Sequence, residues 1–355
     1  MNRLEKLVKK IPDDIDGVLI TSPMSQLYLT QYNFTDGYVL VTRNKSYVFA
    51  DGRYIEAAKN QITDGFEIVL LTGKQSEYLG KIFEKESIKS LGFEDTKLEC
   101  SALEKLKETF SEMEFKPIGN LIYKLREYKD ICEVEKIKAA QRIADAAFDH
   151  IVNMITPETT ETEISLELEY FMRRNGSQGT AFDIIAVSGS ASAQPHGVPR
   201  NQKLERGFLV LDYGAVVDGY RSDMTRTVFI GKANDEEVKI YNTVLEAQLK
   251  ALGFIAPYVK SMDADKAARD VITNAGYGEY FTHSLGHGVG LEIHEGPRVA
   301  ANAADVILES GHVITVEPAI YLAGKLGVRI EDMVLITETG TENLTTSPKH
   351  LMEIL

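Results

Sequence analysis

Apolar positions in the first third of the chain come in short bursts: Val18-Leu19-Ile20, Tyr38-Val39-Leu40-Val41, Tyr47-Val48-Phe49-Ala50 and Glu67-Ile68-Val69-Leu70-Leu71. Runs of this length, rich in β-branched and aromatic residues, read as strands, and the polar Arg43-Asn44-Lys45 between the second and third reads as a turn. Stretches near 53–62, 76–85 and 101–110 read as helices. The alternation predicts an α/β amino-terminal domain with helices packed on a mixed sheet, closing near residue 125.

From Val134 the period changes. Val134, Ile137, Ile143, Ala147, Ile151 and Ile155 fall on one helical face. A second helix opens after Thr160, whose hydroxyl can cap it while Glu163 reaches back, and it stops at Asn175-Gly176. Strands dominate 182–230 and 312–337, with helices over 235–255 and 263–275. Residues 126–355 therefore read as an α+β domain following the α/β domain of residues 1–125. No low-complexity tract and no internal repeat is apparent.

Composition adds little to this picture but excludes much. The 355 residues are 44% hydrophobic and 26% charged, enough for two domains with cores. No apolar run reaches the roughly eighteen residues of a membrane helix. The polar start through Ile11-Pro12-Asp13-Asp14 lacks a signal-peptide core, which points to a cytoplasmic protein with no membrane partner. A net charge of −14 argues against nucleic acid as a partner. Cys100 and Cys132 lie far apart without a partner motif, so neither a disulfide nor a thiolate metal site is expected, and both read as buried small hydrophobes.

Candidate chemistry begins with the segment from Phe208 to Val228, whose strand-like halves flank Val217-Asp218-Gly219. A turn centred between residues 217 and 218 pairs Asp212 with Asp223, with Cβ atoms about 4.5–5.5 Å apart. Two like charges at that separation repel unless a cation lies between them. A half-exposed hairpin with both aspartates in water is the other reading, and a bulge would change the register.

Three of the seven histidines, His283, His287 and His294, fall between Thr282 and Glu295. Gly286 and Gly288 flank His287 and let the backbone approach a ligand, while a neutral imidazole suits a borderline metal. The Gly-x-Gly-x-x-Gly spacing of a dinucleotide site is absent. His150, His312 and His350 stand alone and read as structural. Glu317 and Glu331 are each set in an apolar strand, where a charge needs a partner, and Arg329 alone cannot neutralise both glutamates and both aspartates. Asp212, Asp223, His287, Glu317 and Glu331 make a donor set of four carboxylates and one imidazole that suits manganese, iron(II), cobalt or zinc and disfavours copper(I). Two ions about 3.5–4 Å apart would use all five donors and supply a hydrolytic nucleophile. A binding module without chemistry is the rival reading, and metal content separates the two.

In order along the chain, Pro195-His196-Gly197, Asp212-Tyr213-Gly214, Ser222 through Thr227, Gly286-His287-Gly288, Ile293-His294-Glu295, Val316-Glu317-Pro318 and Arg329-Ile330-Glu331 resemble the proline-specific peptidases of the pita-bread superfamily, the prolidases and aminopeptidases P. The resemblance covers residues 130–350, and the first third resembles the creatinase-type domain of the same family. It implies a pita-bread fold for the catalytic domain and two divalent ions per chain, with manganese first among the metals. Asp212 and Asp223 would hold one ion, His287 and Glu317 the other, with Asp223 and Glu331 bridging. It implies hydrolysis of the bond preceding proline in short peptides, with Glu317 moving the proton and His294 steadying the tetrahedral intermediate. His196 and His283 would line the pocket beside it, and Tyr321 and Arg329 would support the site. Arg298 resembles an arginine that some dipeptide-specific members carry and that could clamp the substrate's carboxylate. That favours Xaa-Pro dipeptides, with an aminopeptidase P acting on longer peptides as the alternative and a structural arginine as the other reading of Arg298. The family also suggests a homodimer. Methionine aminopeptidases lack the large amino-terminal domain and creatinases have lost ligands, so the likeness to either is weaker.

Overall fold

Six short strands, β1 (Gly17–Ile20), β2 (Gly37–Thr42), β3 (Ser46–Asp51), β4 (Phe66–Leu71), β5 (Ser90–Phe93) and β6 (Glu114–Pro117), form one sheet in the order β4-β3-β2-β1-β5-β6. The β1–β2 and β2–β3 pairs are antiparallel and the other three parallel, which makes the sheet mixed. Helices α1 (Arg3–Lys10), α2 (Pro23–Thr30), α3 (Ile55–Gln61), α4 (Gln75–Lys85), α5 (Cys100–Thr109) and α6 (Leu121–Glu127) join them. The turn after β2 closes because Thr42 Oγ1 accepts from the N–H groups of Asn44 at 3.2 Å and Lys45 at 3.0 Å. Leu19, Leu40, Phe49, Leu79, Phe83 and Leu91 fill the core of this unit. The computed structural model describes residues 2–62 and 65–354, and the chain divides into two units after Arg126.

The second unit opens with α7 (Ile131–Met154) and α8 (Glu161–Arg174), followed by β7 (Ile185–Ser188), β8 (Gly207–Tyr213), β9 (Val216–Val217), β10 (Tyr220–Arg221) and β11 (Met224–Ile230). Then come α9 (Asp235–Phe254), α10 (Ser261–Asn274), β12 (Gly286–Gly288), β13 (Glu295–Val299), β14 (Val313–Val316), β15 (Ala319–Leu322), β16 (Leu326–Arg329), β17 (Asp332–Ile336), β18 (Thr341–Asn343) and β19 (Glu353–Ile354). Two sheets result, β19-β11-β8-β7 and β13-β12-β14-β17-β18, with β9-β10 and β15-β16 as separate hairpins. Ala144, Phe148, Ile151, Ile164 and Leu168 pack α7 and α8 on Leu209 and Leu211, while Val244, Ala247, Ala264 and Ala268 of α9 and α10 share a core with Ile314, Val316 and Val334. No helix among the described residues is long and apolar enough to cross a membrane.

Three expectations change. Both cysteines are exposed rather than buried. Cys100 opens α5, a helix with no buried residue, and Cys132 precedes the inward-facing Glu133, Val134 and Ile137 of α7. The hairpin register differs as well: Asp212 lies opposite Thr225, and Val217 opposite Tyr220. Asp218 and Gly219 both have positive φ, 49° and 82°, so they form a two-residue loop of the kind that matches strand twist. The turn therefore centres between 218 and 219, and Asp223 lies diagonal to Asp212 on the same face rather than across from it.

The third change is a repeat that the sequence does not advertise. A long helix, a shorter one, sheet strands, a hairpin and a further strand occur twice, as α7 to β11 and α9 to β17, with two sheet strands before the hairpin in the first half, β7 and β8, and three in the second, β12, β13 and β14. α8 and α10 are each 14 residues long and are followed by glycines in the left-handed region, Gly176 and Gly276. Matching backbone bonds tie each helix start to a later loop. Glu161 N–H donates to Gln202 O at 3.1 Å and Leu204 N–H to Thr159 O at 3.1 Å, as Ser261 donates to Val306 O at 2.8 Å and Leu308 to Val259 O at 2.9 Å. The shared residues are few: Ile155 and Pro157 against Ile255 and Pro257, and His196-Gly197-Val198-Pro199-Arg200 against His294-Glu295-Gly296-Pro297-Arg298.

Candidate metal centre

Acidic side chains converge where strands begin and end. Asp212 is the penultimate residue of β8, Asp223 immediately precedes β11, Glu317 immediately follows β14, and Glu331 immediately precedes β17. The two glutamates thus sit at strand ends rather than inside strands. His287 is the centre of β12. Gly286 and Gly288 are required beside it, because a Cβ on them would lie 2.0 Å from the Thr315 carbonyl oxygen and 2.1 Å from that of Gly296. With glycine there, β12 lies tight between β13 and β14 and carries the imidazole to the acids.

Donor atoms of Asp223, His287 and Glu331 lie within 4.8 Å of one another. His287 Nδ1 faces the Gly288 carbonyl oxygen at 3.0 Å, which assigns the ring proton to Nδ1 and leaves Nε2 as an acceptor. That Nε2 is 3.5 Å from Glu317 Oε1 and 3.6 Å from Asp223 Oδ2. An acceptor nitrogen aimed at acceptor oxygens is stable only with a proton or cation among them. Burial, with His294 beside it, lowers the His287 pKa to about 4, so the ring itself does not take up a second proton at neutral pH.

The carboxylates tell the same story. Burial, then the neighbouring acids, pushes Asp223 and Glu331 well above the ordinary carboxylate range, and burial raises Glu317 to about 8 against the pull of Arg329. Among the described residues Arg329 is the one guanidinium bonded to this group. It donates to Asp212 Oδ2, to the Tyr321 hydroxyl, to Thr225 Oγ1 at 3.0 Å and to the Pro195 carbonyl at 3.2 Å. Even so, Asp212 Oδ1 is buried with no hydrogen-bond partner among the described residues. Four carboxylates against one guanidinium, an orphaned Oδ1 and an imidazole acceptor aimed at the acids fit divalent cations.

The remaining candidates divide into those that join the cluster and one that does not. His294 packs edge-on against His287 with ring centroids 4.3 Å apart, and His283 Nε2 is 3.3 Å from the Tyr321 hydroxyl. Burial lowers the pKa of both, to about 4 for His283, and His196 contributes in each case, so the three imidazoles share one field. Burial lifts Tyr321 to about 12. Arg298 is exposed, and its guanidinium has no hydrogen bond or ion pair among the described residues. His150 pairs with Glu167 and stacks on Phe171, and buried His312 accepts at Nδ1 from the Glu309 N–H at 3.0 Å.

Two participants escaped the sequence reading. Thr225 Oγ1 donates to Glu331 Oε2 at 2.7 Å, and Thr315 Oγ1 donates to Glu317 Oε1 at 3.3 Å while accepting from the His287 N–H at 3.1 Å. Each hydroxyl orients one glutamate. The available signal is strand alternation: Thr225 is two residues from Asp223 and Thr315 two from Glu317, so each lies on a strand face that also carries an acid of the cluster.

Comparison with known proteins agrees with this chemistry. The metallopeptidase family M24 pattern matches residues 135–338, and the creatinase/prolidase N-terminal domain matches residues 3–128. The chain is 40% identical over 353 residues to an Xaa-Pro dipeptidase of Pyrococcus furiosus, covering 99% of each. Among solved structures it is similar to an Xaa-Pro dipeptidase from Bacillus anthracis, with a TM-score of 0.95, 43% identity and 99% coverage of each chain. It is also similar to an X-Pro aminopeptidase from Thermotoga maritima, with a TM-score of 0.93 and 37% identity, covering 99% of this chain and 100% of that one.

Proposed function

The chain belongs to metallopeptidase family M24, and from that premise we propose that it hydrolyses the peptide bond preceding proline in short peptides, with Xaa-Pro dipeptides as its substrates. The observation that carries the reading is the buried convergence of Asp223, His287, Glu317 and Glu331 beside an Asp212 oxygen that no protein group satisfies. Similarity to Xaa-Pro dipeptidases along 99% of the chain, at 40% and 43% identity, supports the substrate class.

Asp212, Asp223, His287, Glu317 and Glu331 would hold two divalent ions, and their mostly hard oxygen donors favour manganese, with cobalt, zinc and iron(II) as alternatives. When bound, such ions polarise a carbonyl oxygen and bring a water's pKa near neutrality. Glu317 takes the proton from the attacking water and returns it to the departing proline nitrogen. His294 donates from its ring to the carbonyl oxygen as charge develops there, and His196 and His283 line the pocket with Tyr321. Arg329, gripping Asp212, Tyr321 and Thr225 together, keeps these groups in register.

Arg298 supports the dipeptide. Where α8 begins with Glu161, which binds the Arg200 guanidinium, α10 begins with Ser261, whose hydroxyl reaches only backbone, the Arg298 carbonyl at 2.6 Å and the Ala300 N–H at 3.3 Å. The Arg298 guanidinium is left for a ligand carboxylate, which a dipeptide presents directly after the proline ring. The second reading, an aminopeptidase acting on longer peptides, is favoured by the similarity to the Thermotoga maritima enzyme. Turnover of Xaa-Pro and Xaa-Pro-Yaa peptides by manganese-loaded protein decides between them: faster dipeptide cleavage supports the first, and faster tripeptide cleavage the second. We also propose a homodimer, which the family resemblance suggests, and a cytoplasmic location; sedimentation tests the first and cell fractionation the second.

A further inference from the structure

Glu161, the first residue of α8, is fully buried at 0% exposure, outside the donor cluster. Its carboxylate accepts from Ser188 N–H at 2.7 Å and Oγ–H at 2.8 Å, and from Arg200 N–H at 2.9 Å, Nε at 2.8 Å and Nη2 at 2.6 Å. Five donors saturate the roughly four lone-pair sites of a carboxylate. Arg200 Nη2 also reaches the Ser188 carbonyl at 3.2 Å, so the pair clamps the end of β7 to residue 200. Between these points runs the loop that carries His196.

That loop is pinned again near its middle. Arg329 donates to the Pro195 carbonyl, and a Cβ at Gly197 would lie 2.9 Å from a Val187 methyl, so the backbone beside His196 rests directly on β7. His196 itself is exposed, and its ring has no hydrogen bond among the described residues. Its position is therefore set by its loop and not by partners of its own.

A purely architectural role for the pair explains less. The start of α8 is already held by the Thr160 cap with Glu163 and by backbone bonds from Glu161 to Gln202, Thr162 to Arg200 and Leu204 to Thr159. The second half makes the same kind of junction at Ser261 without any ion pair. Buried ion pairs are also often no more stabilising than neutral groups of similar volume. We propose that Glu161 and Arg200 form a positioning pair for His196, acting on the reaction through that imidazole alone.

This rests on the proposed function only in that turnover is one of its readouts. The test uses manganese-loaded protein carrying both Glu161→Gln and Arg200→Met, which leaves no unpaired buried charge, with Arg200→Lys as a milder variant in case the double variant folds poorly. The expected result is unchanged metal content and a loss in kcat of about 100-fold, the scale of a misplaced reacting group. Arg200→Lys should lose less, because it keeps the charge and part of the hydrogen bonding. The same pair of substitutions placed in a His196→Ala background should change kcat by less than about threefold, since their effect is exerted through the missing ring. Equal losses in the two backgrounds, or no loss in the wild-type background, would overturn the proposal. A second readout does not need turnover: with histidine labelled with carbon-13 at Cε1, His196 should give one dispersed resonance in the wild type and an averaged one in the variants. An unchanged His196 resonance overturns the positioning role even if the protein cleaves no proline peptide, whereas a wild type inactive on every Xaa-Pro substrate with the expected resonance change overturns only the proposed function.

Discussion

The half of the second unit from α7 to β11 and the half from α9 to β17 share a scaffold, and each delivers two acids to the centre, Asp212 and Asp223 from one, Glu317 and Glu331 from the other. Each also delivers one threonine hydroxyl that orients a glutamate, Thr225 and Thr315. The halves differ at two places. β12 reads Gly286-His287-Gly288 where β7 reads Ile185-Ala186-Val187-Ser188, so only the second half supplies an imidazole donor. Both halves carry His-x-x-Pro-Arg, yet Arg200 is tied to Glu161 while Arg298, next to Ser261, is untied. A doubled frame accounts for the matched carboxylates, and the divergent positions account for what is specific to this chemistry.

The comparison makes its largest demand on His294, which stands in the second half where His196 stands in the first. His294→Ala should keep its metal and lose turnover by about 100- to 1,000-fold, the usual effect of removing one donor to a developing oxyanion. Kinetics alongside metal analysis give the answer, and turnover within threefold of wild type would return His294 to a structural role.

Arg298→Ala probes the untied arginine. Loss of a charge-assisted bond to a carboxylate should raise KM for an Xaa-Pro dipeptide by roughly 10- to 100-fold while changing an Xaa-Pro-Yaa tripeptide little. Equal losses on both peptides would mean that Arg298 supports structure rather than the substrate's carboxylate.

The acids from both halves leave a mark on the metal-free protein. Glu317 is raised to about 8, and Asp223 and Glu331 are also raised, by burial first and then by the neighbouring acids. A carboxyl whose folded pKa lies above its unfolded value of 4.5 holds a proton that the unfolded chain has released, so its burial costs stability as pH rises from there through about 8. Metal-free protein should therefore show a melting temperature that falls across this window, and manganese should remove the fall. A flat profile without metal would contradict the picture of crowded, uncompensated acids.

The smallest contrast is local. α8 is capped by Thr160 with Glu163 reaching back, whereas the Lys260 side chain makes no cap for α10. Thr160→Ala should cost about 1 kcal/mol, and Lys260→Ala should stay within about 0.5 kcal/mol. Thermal denaturation of the metal-loaded protein reads both.

Much of this was legible before the fold. The bursts at Val18, Tyr38 and Tyr47 are largely buried strands of a mixed sheet, the burst at Ile68 is its half-exposed edge strand, and Thr160 with Glu163 is a cap whose chemistry is entirely local. The residues that converge on the centre stood out as candidates because acids and an imidazole amid glycine and apolar neighbours have few bland explanations. The hairpin register was missed by one position at its turn. Asp218-Gly219 is the two-residue loop, and one residue's shift of centre moves every partner by two. The repeat was missed because helix pairs conserve apolar character rather than identity, as with Ile164, Leu168 and Met172 against Ala264, Ala268 and Ile272. Exposure of Cys100 and Cys132 depends on which helix face meets a sheet, and single residues near helix starts do not report that.

The central claim is that the five donors bind two divalent ions as one unit, with Asp223 shared. Metal analysis of wild type and Asp223→Ala after manganese loading tests it most directly. The account requires two ions per wild-type chain and loss of both ions and turnover in the variant, because a shared carboxylate cannot be removed without upsetting the charge balance at each ion. An Asp223→Ala protein that keeps two ions and cleaves Xaa-Pro at the wild-type rate would contradict it.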